Sequence, residues 1–503
     1  MAEGFLGIDA GTQGLSIALV DRDLKLIATG DADYAMQPGL DDGCYEQAPG
    51  DWEVAVTTAM ARLREALSAD DREIDALAIG VSGQMHGEVL IDEFGEAVGT
   101  SRLWCDTRNQ AEADELTERL GCKMPRRLTA TRWLWTLRNR SEAAAKARYL
   151  TTPAGWLAYR LTGEHVLGIG DASGMFPIDQ ATLDYNESML ESFDDLAGAT
   201  HPLQSMLPRV AVAGGEGGAL DARGAELLGL PQGVPVAPAE GDQPTAMAGS
   251  LISRAGMVSA SFGTSVVANS VGDRPFEGIS RAVDHFCAVD GKPINMICLI
   301  NGTTFLNTVV RMLTAVGGDG FTRVMREVLD TPADCDGLLA TPFVDDEPAV
   351  GVTQGGLAGF VGLNAANAKP GRVAKAALLA TMFNLRLGSE VLDAQGYPRD
   401  EVVLTGGLAR TPELGQLLAD VMRAPVTVLP AADEGTAWGA AALAKHRWEH
   451  LNGTGEDWDT FLGRHKPAET LRFTPNDDEA VALDAVYQRY QQTPAMRAGQ
   501  SVG

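Results

Sequence analysis

The chain has 503 residues, 45% of them hydrophobic and 21% charged, and its 40 Lys and Arg against 68 Asp and Glu give a net charge of −28. Because a chain of this length exceeds what one hydrophobic core organises, we expect two large domains or three. The acidic balance argues against broad electrostatic binding to nucleic acid or to a membrane surface. An anionic ligand would need local help from backbone amides or a metal ion.

The expected compartment follows from what the chain lacks. No apolar run reaches the ~20 residues of a membrane-spanning helix. The six cysteines form no CxxC, the seven histidines form no zinc motif, and the N-terminus enters a strand-like run without the basic and apolar regions of a signal peptide. We therefore expect a soluble protein of the reducing cytoplasm.

The first half of the chain predicts strands and helices in alternation. Strand-like runs at residues 5–8, 15–21 and 25–29 predict a meander. A helix is expected from Asp51, placed as its N-cap, and its apolar residues follow helical spacing. The continuous apolar run at 74–81 is typical of a strand buried on both faces.

The second half predicts a similar succession. We expect a hairpin at 256–272, a long helix near 372–394, a strand at 401–404, a helix at 412–423 and a strand at 426–429. Strands alternating with helices predict a layered α/β architecture.

A glycine–threonine turn occurs in both halves, as Gly11-Thr12 and as Gly263-Thr264, each between strand-like runs. This recurrence suggests a duplicated domain, and such a turn lets backbone N–H groups approach phosphate oxygens. A single copy would more often be an ordinary hairpin turn. The copies differ because Asp9 precedes the first turn and neutral Ser261 the second, so only one half brings a carboxylate for Mg²⁺. The cleft between the halves is the expected nucleotide site.

We place the boundary between the halves near residues 245–255, which gives domains at 1–247 and 248–503 and puts Asp242 at the hinge. The last ~50 residues, with Trp448, Trp458 and Tyr487, are interpreted as helical packing over one domain.

Six stretches of the chain resemble the FGGY family of carbohydrate kinases and stand in that family's order. They are GIDAGTQGLSIALVD at 7–21, GVSGQMHGEVLID at 80–92, LWCDTRN at 103–109, GDQ at 241–243, SFGTSVV at 261–267, and LTGGLARTPELGQLLADV with DEGTAWGAAALA at 404–421 and 433–444. The resemblance covers residues 5 to 445. It implies an α/β fold of two actin-like, ribonuclease-H-like domains, with mixed sheets flanked by helices and a cleft for ATP and sugar between them.

The resemblance assigns the phosphoryl-transfer chemistry to residue types that suit it. It implies that Asp242 is the catalytic base and that Asp9, with Asp242, holds Mg²⁺. From sequence alone, Asp242 followed by Pro244 is more simply a helix N-cap. An N-cap carboxylate would have a low pKa, and we therefore expect an ionised base at neutral pH.

The nucleotide residues implied by the resemblance lie in three turns. Gly11, Thr12, Gln13, Gly263 and Thr264 would line the phosphates. In the third turn Gly406, Gly407 and Ala409 would lie against the purine and ribose, although the residues alone fit an ordinary strand–turn–helix connection equally well.

The implied sugar site follows the strand at 74–81. Gln84, Met85, His86, Asp242 and Gln243 match positions that contact a ketose in the family, and Trp104 and Asp106 are candidates for a wall and an acceptor. A lone histidine or a tryptophan after an apolar residue is otherwise often structural. The QMHG context favours an open-chain ketopentose, and we expect ATP-dependent phosphorylation of D-xylulose at its terminal hydroxyl.

One segment departs from the pattern of the family's xylulose-phosphorylating members. Residues 341–356 read TPFVDDEPAVGVTQGG, and only Glu347-Pro348 matches. Ribulose, another ketose, a polyol or a sugar acid therefore stays open as the substrate. The chain has no GxxxxGK[ST], which excludes a P-loop kinase.

Two alternatives of another class are an actin-like ATPase, which needs neither QMHG nor GDQ, and a sugar sensor without turnover, which would not need Asp9 and Asp242. The expected partners are a sugar and ATP, without nucleic acid or membrane, and a homodimer stays open.

Overall fold

The computed structural model describes residues 2–68, 73–198, 201–280, 282–314, 320–429, 435–467 and 469–500. Its contacts divide the chain into two compact units. The first unit consists of Met1–Ser253, His285–Pro293 and Ala432–Lys466. The second unit consists of Arg254–Asp284, Ile294–Ala431 and Pro467–Gly503.

The strands of the described residues are, in chain order, β1 Ala2–Ala10, β2 Gly14–Val20, β3 Leu26–Asp33, β4 Glu46–Gln47, β5 Ile74–Gly83, β6 Val89–Ile91, β7 Ser101–Arg102, β8 Tyr149–Thr151, β9 Val166–Gly168, β10 Ile178–Asp179, β11 Asp184–Tyr185, β12 Arg209–Ala211, β13 Glu240–Gly241, β14 Met257–Phe262, β15 Val266–Val271, β16 Val283–Cys287, β17 Pro293–Leu299, β18 Leu339–Thr341, β19 Gly359–Val361, β20 Glu401–Gly406, β21 Val426–Val428 and β22 Leu471–Phe473.

The α-helices are α1 Pro49–Ser68, α2 Gln110–Leu120, α3 Thr129–Asn139, α4 Ser141–Lys146, α5 Pro153–Thr162, α6 Ile169–Ser173, α7 Glu187–Ala197, α8 Ala222–Leu228, α9 Asp242–Gly249, α10 Thr304–Thr314, α11 Gly320–Leu329, α12 Pro370–Ala394, α13 Leu414–Met422, α14 Gly435–Leu451, α15 Trp458–Arg464, α16 Asp477–Gln491 and α17 Pro494–Gln500. Short 3-10 helices lie at Leu203–Ser205, Cys335–Gly337, Pro348–Val350 and Gly407–Arg410. Within the described residues, no helix combines the length and apolar character needed to cross a membrane.

The first unit is built on a five-stranded sheet in the order β13-β5-β1-β2-β3. β1 pairs antiparallel with β2 and parallel with β5, so that Asp9 lies between Ser16 and Ser82. The centre of β1 is buried on both faces, which agrees with its continuous apolar sequence. Asp9 therefore lies near the end of a central strand, at the edge where the turn to β2 begins.

The second unit repeats this arrangement in a seven-stranded sheet with the order β16-β17-β15-β14-β20-β21-β22. β14 pairs antiparallel with β15 and parallel with β20, so that Ser261 lies between Val267 and Thr405. Ser261 thus occupies the position in the second sheet that Asp9 occupies in the first. The duplicated hairpin and the mixed α/β fold predicted from the sequence are confirmed.

Most predicted elements are present, with shifted ends. The predicted meander corresponds to β1 to β3, the strand at 74–81 to β5, the second hairpin to β14 and β15, and the long helix to α12. The prediction of Asp51 as an N-cap is wrong, because α1 begins at Pro49 and Asp51 lies in its first turn. Proline suits the first helical position because its φ is already helical and it needs no N–H partner there.

Helix α14 packs on the sheet of the first unit, although it comes late in the chain. A side-chain carbon at Gly7 would lie 1.9 Å from the carbonyl oxygen of Ala437, and one at Gly80 would lie 1.9 Å from that of Ala440. Two glycines on adjacent strands therefore let the helix backbone approach the sheet closely.

This packing divides the chain differently from the expected boundary at residues 247 and 248. His285–Pro293 and Ala432–Lys466 belong to the first unit. Trp448 and Trp458 pack in the core of the first unit, while Tyr487 packs in that of the second. The C-terminal segment expected over one domain is therefore shared by both units.

Candidate active site

The first turn, Gly11–Gln13, joins β1 to β2, and side chains of the first unit donate hydrogen bonds to its carbonyl groups. The N–H of Gly11 donates to the carbonyl oxygen of Gly14 at 2.9 Å. The Tyr34 hydroxyl donates to the carbonyl of Gly11, and Gln47 Nε2 donates to that of Thr12 at 2.8 Å. The turn is therefore held in one conformation by side chains of the first unit.

A hydrogen-bonded chain links this turn to the predicted sugar-binding segment. Trp104 Nε1 donates to Thr12 Oγ1 at 3.1 Å, and Thr12 Oγ1 donates to Gln84 Oε1 at 3.2 Å. Gln84 Nε2 in turn donates to Gln47 Oε1 at 2.8 Å. Gln84 is fully buried, so its amide supports the turn from within the protein, whereas the Trp104 side chain is 44% exposed.

Asp9 carries one satisfied and one unsatisfied carboxylate oxygen. The Thr436 hydroxyl of α14 donates to Oδ2. Oδ1 is buried and has no hydrogen-bond partner among the described residues. Burial raises the pKa of Asp9 above its usual value, and the hydroxyl groups of Thr436 and Ser82 oppose that rise. A buried carboxylate oxygen without a partner is the feature expected where a cation or a ligand is to bind.

Asp242 is the first residue of α9, and the residue at the N-cap is Gly241. The backbone N–H groups of Gln243, of Met85 and of Asp242 itself lie near the Asp242 carboxylate and favour its charged form. Its side chain is only partly exposed to solvent. The segment after β5 and the start of α9 therefore fix the carboxylate together.

The low pKa expected for Asp242 is wrong, as is its placement as an N-cap. Withdrawal from water, followed by the negative charge of Asp9, raises its pKa to about 7, and the backbone N–H groups offset this only in part. Desolvation disfavours the charged form of a carboxyl group, as does a nearby like charge. A carboxyl with a pKa near neutrality suits a general base, which must both take up and release a proton.

Two further carboxyl groups, Asp171 on α6 and Glu240 on β13, lie buried near Asp242. The Glu240 carboxylate accepts from the backbone N–H of Gly170 at 3.2 Å and of Asp171 at 2.8 Å. The Thr152 hydroxyl donates to Asp171 Oδ2 at 2.5 Å, and Oδ1 has no partner. Burial raises the pKa of both groups well above the usual range; the charge of Asp242 adds to the rise for Asp171, and that of Asp171 to the rise for Glu240.

Met85 and His86 follow β5 and are both buried. His86 has a positive φ of 67°, and its Nδ1 lies 2.9 Å from the Gly174 carbonyl oxygen. Burial, followed by the charge of Arg127, lowers the pKa of His86 well below its usual value. Because a carbonyl only accepts, Nδ1 carries the proton of the neutral ring, and Nε2 can accept from a hydroxyl group.

Asp106 lies in a buried ion-pair cluster. Arg108 donates to both of its carboxylate oxygens, with a closest contact of 2.6 Å, and the Tyr45 N–H donates to Oδ2 at 3.0 Å. Arg108 also pairs with Glu46 at 2.5 Å. The structure therefore gives Asp106 protein partners at both carboxylate oxygens.

The second turn, Gly263–Ser265, and the segment after β20 lie in the second unit. The N–H of Gly263 donates to the Ser265 carbonyl at 2.9 Å, and Gly263 and Thr264 are exposed. Gly406 and Gly407 are also exposed, and Gly406 has a positive φ of 74° that favours glycine. Gly407 is the first residue of the 3-10 helix Gly407–Arg410, which contains Ala409. The helix predicted to begin at residue 412 is α13, and it begins at Leu414.

The first unit offers a place for a divalent cation at Asp9. Among the described residues, no group of three or more His, Cys, Asp or Glu side chains could hold a metal ion. A Mg²⁺ ion bound by one or two carboxylates, several waters and phosphate oxygens needs no such group. The unpartnered Oδ1 of Asp9 fits an ion of that kind.

Sequence reasoning missed four residues of this region: Asp171, Glu240, Phe286 and Thr436. Thr436 lies in a stretch that carried the family resemblance, and Glu240 lies two residues before Asp242. The ring of Phe286 is 5.3 Å from that of His86. No sequence signal connects Asp171 or Phe286 to the site, because each reaches it only through the fold.

Comparison with known proteins identifies a family that spans most of the chain. The N-terminal domain profile of the FGGY family of carbohydrate kinases matches residues 5–249, and the C-terminal domain profile matches residues 258–448. A xylulose kinase of Streptomyces coelicolor is 31% identical over 486 residues, which cover 92% of this chain and 92% of that protein. A xylulose kinase of Haemophilus influenzae is 27% identical and covers 97% of this chain and 98% of its own length.

The solved structures show the same fold. A ligand-bound xylulose kinase from Lactobacillus acidophilus matches with a TM-score of 0.82 and 20% identity, over 97% of each chain. At this identity the likeness concerns the fold, and it agrees with the duplicated sheet order of the two units.

Proposed function

The chain belongs to the FGGY family of carbohydrate kinases, and on that premise we propose that it transfers the γ-phosphoryl group of ATP to the terminal hydroxyl of D-xylulose. The product would be D-xylulose 5-phosphate, with ADP released. The chain is an ATP-dependent sugar phosphotransferase, and the two relatives compared above are named xylulose kinases.

The observation that carries the proposal is the packing of Met85 against Gly241, the residue before Asp242, where an added side-chain carbon would lie 2.2 Å from Met85 Cγ. It joins the segment that the family uses for its sugar to the candidate base. A general base must lie within hydrogen-bond reach of the hydroxyl it deprotonates, and this contact sets Asp242 beside the segment that would hold that hydroxyl.

Asp242 would accept the proton of the sugar hydroxyl while the hydroxyl oxygen attacks the γ-phosphorus. The bond between the γ-phosphorus and the bridging oxygen, which leaves with ADP, would break in the same step. Catalysis of this kind depends on positioning and on stabilising charge. The carboxylate sits on the first residue of α9, and the N–H groups of Met85 and Gln243 lie near it, so little reorganisation would be needed at the moment of transfer.

Neutral His86 would accept a hydrogen bond from a sugar hydroxyl through Nε2, and Met85, Gln243 and Trp104 would complete the sugar site. Gln84 and Asp106 would act through the residues they hold, because both are fully buried and their polar atoms already have protein partners.

For the nucleotide, we propose that the N–H groups of Thr12 and Gln13 in the first turn bind phosphate oxygens, as does that of Thr264 in the second unit. Gly11 and Gly263 would line the phosphates, because their own N–H groups donate within the turns. Gly406, Gly407 and Ala409 would contact the purine and ribose. Asp9, with Asp242, would hold Mg²⁺, which when bound supplies positive charge against the phosphate oxygens.

A coupled ADP-release screen tests this function. The full-length protein is assayed with ATP and Mg²⁺ against D-xylulose, ribulose, other ketoses, polyols and sugar acids. We expect kcat/KM to be highest with D-xylulose. A different preferred sugar would keep the kinase and change its substrate, whereas ADP release that no sugar raises would indicate an ATPase or a sensor.

The cytoplasmic location and the homodimer stay predictions of the sequence. Light scattering of the purified protein would measure its mass in solution, and fractionation of the producing cells would measure its location.

A further inference from the structure

Glu347 lies in the segment that departs from the family pattern, and its carboxylate is fully buried in the second unit. It accepts from the backbone N–H of Ile300 at 3.1 Å and of Asn301 at 2.7 Å. Asn301 Nδ2 donates to the same carboxylate at 3.1 Å. Three donors from two consecutive residues therefore converge on one side chain.

Asn301 strengthens the connection from its own side. Its Oδ1 accepts from the Asp345 N–H at 2.9 Å, and its Nδ2 donates to the Asp345 carbonyl at 3.0 Å. Residues 345–347 and 300–301 thus form one hydrogen-bonded bracket, which we call the Glu347 bracket. Both buried partners are polar, so the bracket holds its shape only while its bonds are complete.

The two residues that follow Asn301 hold the second turn. The Gly302 N–H donates to the Thr264 carbonyl at 2.9 Å. The Gly263 carbonyl accepts from Thr303 twice, from the backbone N–H at 2.9 Å and from Oγ1 at 2.8 Å. A side-chain carbon at Gly302 would lie 2.5 Å from the Thr264 carbonyl oxygen, so this approach requires glycine.

We propose that Glu347 is a positioning residue for ATP: through Asn301, Gly302 and Thr303 it fixes the carbonyl groups of the second turn, so that the N–H groups of that turn keep the orientation that binds phosphate. This inference rests on the proposed function of the second turn. It assigns Glu347, which matches the family pattern within residues 341–356, to nucleotide binding.

A structural role alone would have a different effect. If Glu347 only stabilised the second unit, its loss would weaken the binding of all ligands together or of none. If it orders the phosphate-binding turn, its loss weakens the binding of ATP. The binding of adenosine, which has no phosphate, and of D-xylulose then stays unchanged. Glu347→Gln keeps the size of the side chain but replaces one acceptor oxygen by a donor, which faces the N–H groups of residues 300 and 301.

The test measures dissociation constants of ATP and adenosine by calorimetry and the KM values of ATP and D-xylulose, using the full-length protein. Glu277→Gln, the same substitution at an exposed carboxylate of the second unit outside the bracket, is the matched control. In Glu347→Gln the dissociation constant of ATP is expected to rise about tenfold or more, the range for a lost hydrogen bond to a charged group. Adenosine, D-xylulose and the control should stay within about twofold.

Asn301→Ala removes the bracket from the other side and should give the same pattern. Unchanged ATP binding in Glu347→Gln, or equal weakening of ATP and adenosine binding, would overturn the inference. Failure of both bracket variants to fold while Glu277→Gln folds would also overturn it. Normal D-xylulose turnover with unchanged ATP binding in the variant would overturn only the inference. A selective loss of ATP binding in a protein that phosphorylates no sugar would overturn only the proposed substrate.

Discussion

The charge of Asp9, at the end of β1, raises the pKa of Asp242, at the start of α9, beyond the rise that burial alone gives. The two carboxylates are far apart in the chain, and the sheet of the first unit brings them together. Their repulsion favours either a proton on Asp242 or a cation near both. A bound Mg²⁺ would keep Asp242 ionised, so the same ion that suits the phosphates would also suit the base.

Asp9→Asn should weaken the binding of Mg²⁺ in the presence of ATP. The amide keeps the shape of the side chain but removes the charge and one acceptor oxygen at the position of the unpartnered Oδ1. The Mg²⁺ concentration for half-maximal rate at fixed ATP should rise about tenfold or more. Asp33→Asn, an exposed carboxylate on β3, is the control. Equal Mg²⁺ dependence in Asp9→Asn and wild type would exclude Asp9 as a ligand.

The metal-free protein should lose stability as the pH rises from about 4 to about 8. Folding raises the pKa values of Asp171 and Glu240 to about 8, so the native state binds more protons than the unfolded state in this window. The free energy of unfolding therefore falls with increasing pH. Urea unfolding in the presence of a chelator, at several pH values, measures this slope.

Glu240→Gln isolates one group of that pair. Glutamine stays neutral at every pH, so the variant should show a shallower fall in unfolding free energy between pH 5 and pH 8 than wild type. The remaining slope belongs to the other carboxyl groups and to the large negative charge, which both proteins share. Parallel slopes for the two proteins would mean that Glu240 does not carry a raised pKa.

Gly80→Ala should destabilise the first unit. The new methyl group would lie 1.9 Å from the Ala440 carbonyl, and α14 would have to move away from β5. We expect a loss of about 2 kcal/mol in the free energy of unfolding, the order found for overpacked interiors. Gly50→Ala is the control, because no atom lies within 4 Å of the added carbon. It should be neutral or stabilising, and equal effects would contradict the close packing of α14.

The sequence predicted what local patterns determine. The Gly11 and Gly263 turns, the strands beside them and the α/β alternation follow from apolar runs and turn residues, and they are confirmed. Asp242, His86 and Met85 were identified through motifs, and the structure brings them together in the first unit. The duplication was visible because both copies keep the same strand order around the turn.

The environment of Asp242 could not be predicted from its neighbours in the chain. Its pKa depends on Asp9, which comes from a different strand, and on the protein that surrounds it. The place of α14 depends on Gly7 and Gly80, whose role appears only when the helix lies across the sheet. The boundary between the units was likewise set by tertiary packing rather than by a linker.

The most direct test of the account is ADP release with saturating ATP and Mg²⁺, with and without D-xylulose, by the wild type and by Asp242→Asn, with Asp114→Asn as a control for an exposed carboxylate. Calorimetry should show ATP affinity in Asp242→Asn close to that of wild type. D-xylulose should stimulate the wild type and Asp114→Asn equally, and turnover of Asp242→Asn should fall by about 10²- to 10⁴-fold, because the base acts in the transition state. Undiminished D-xylulose turnover in Asp242→Asn would contradict the assignment of the base.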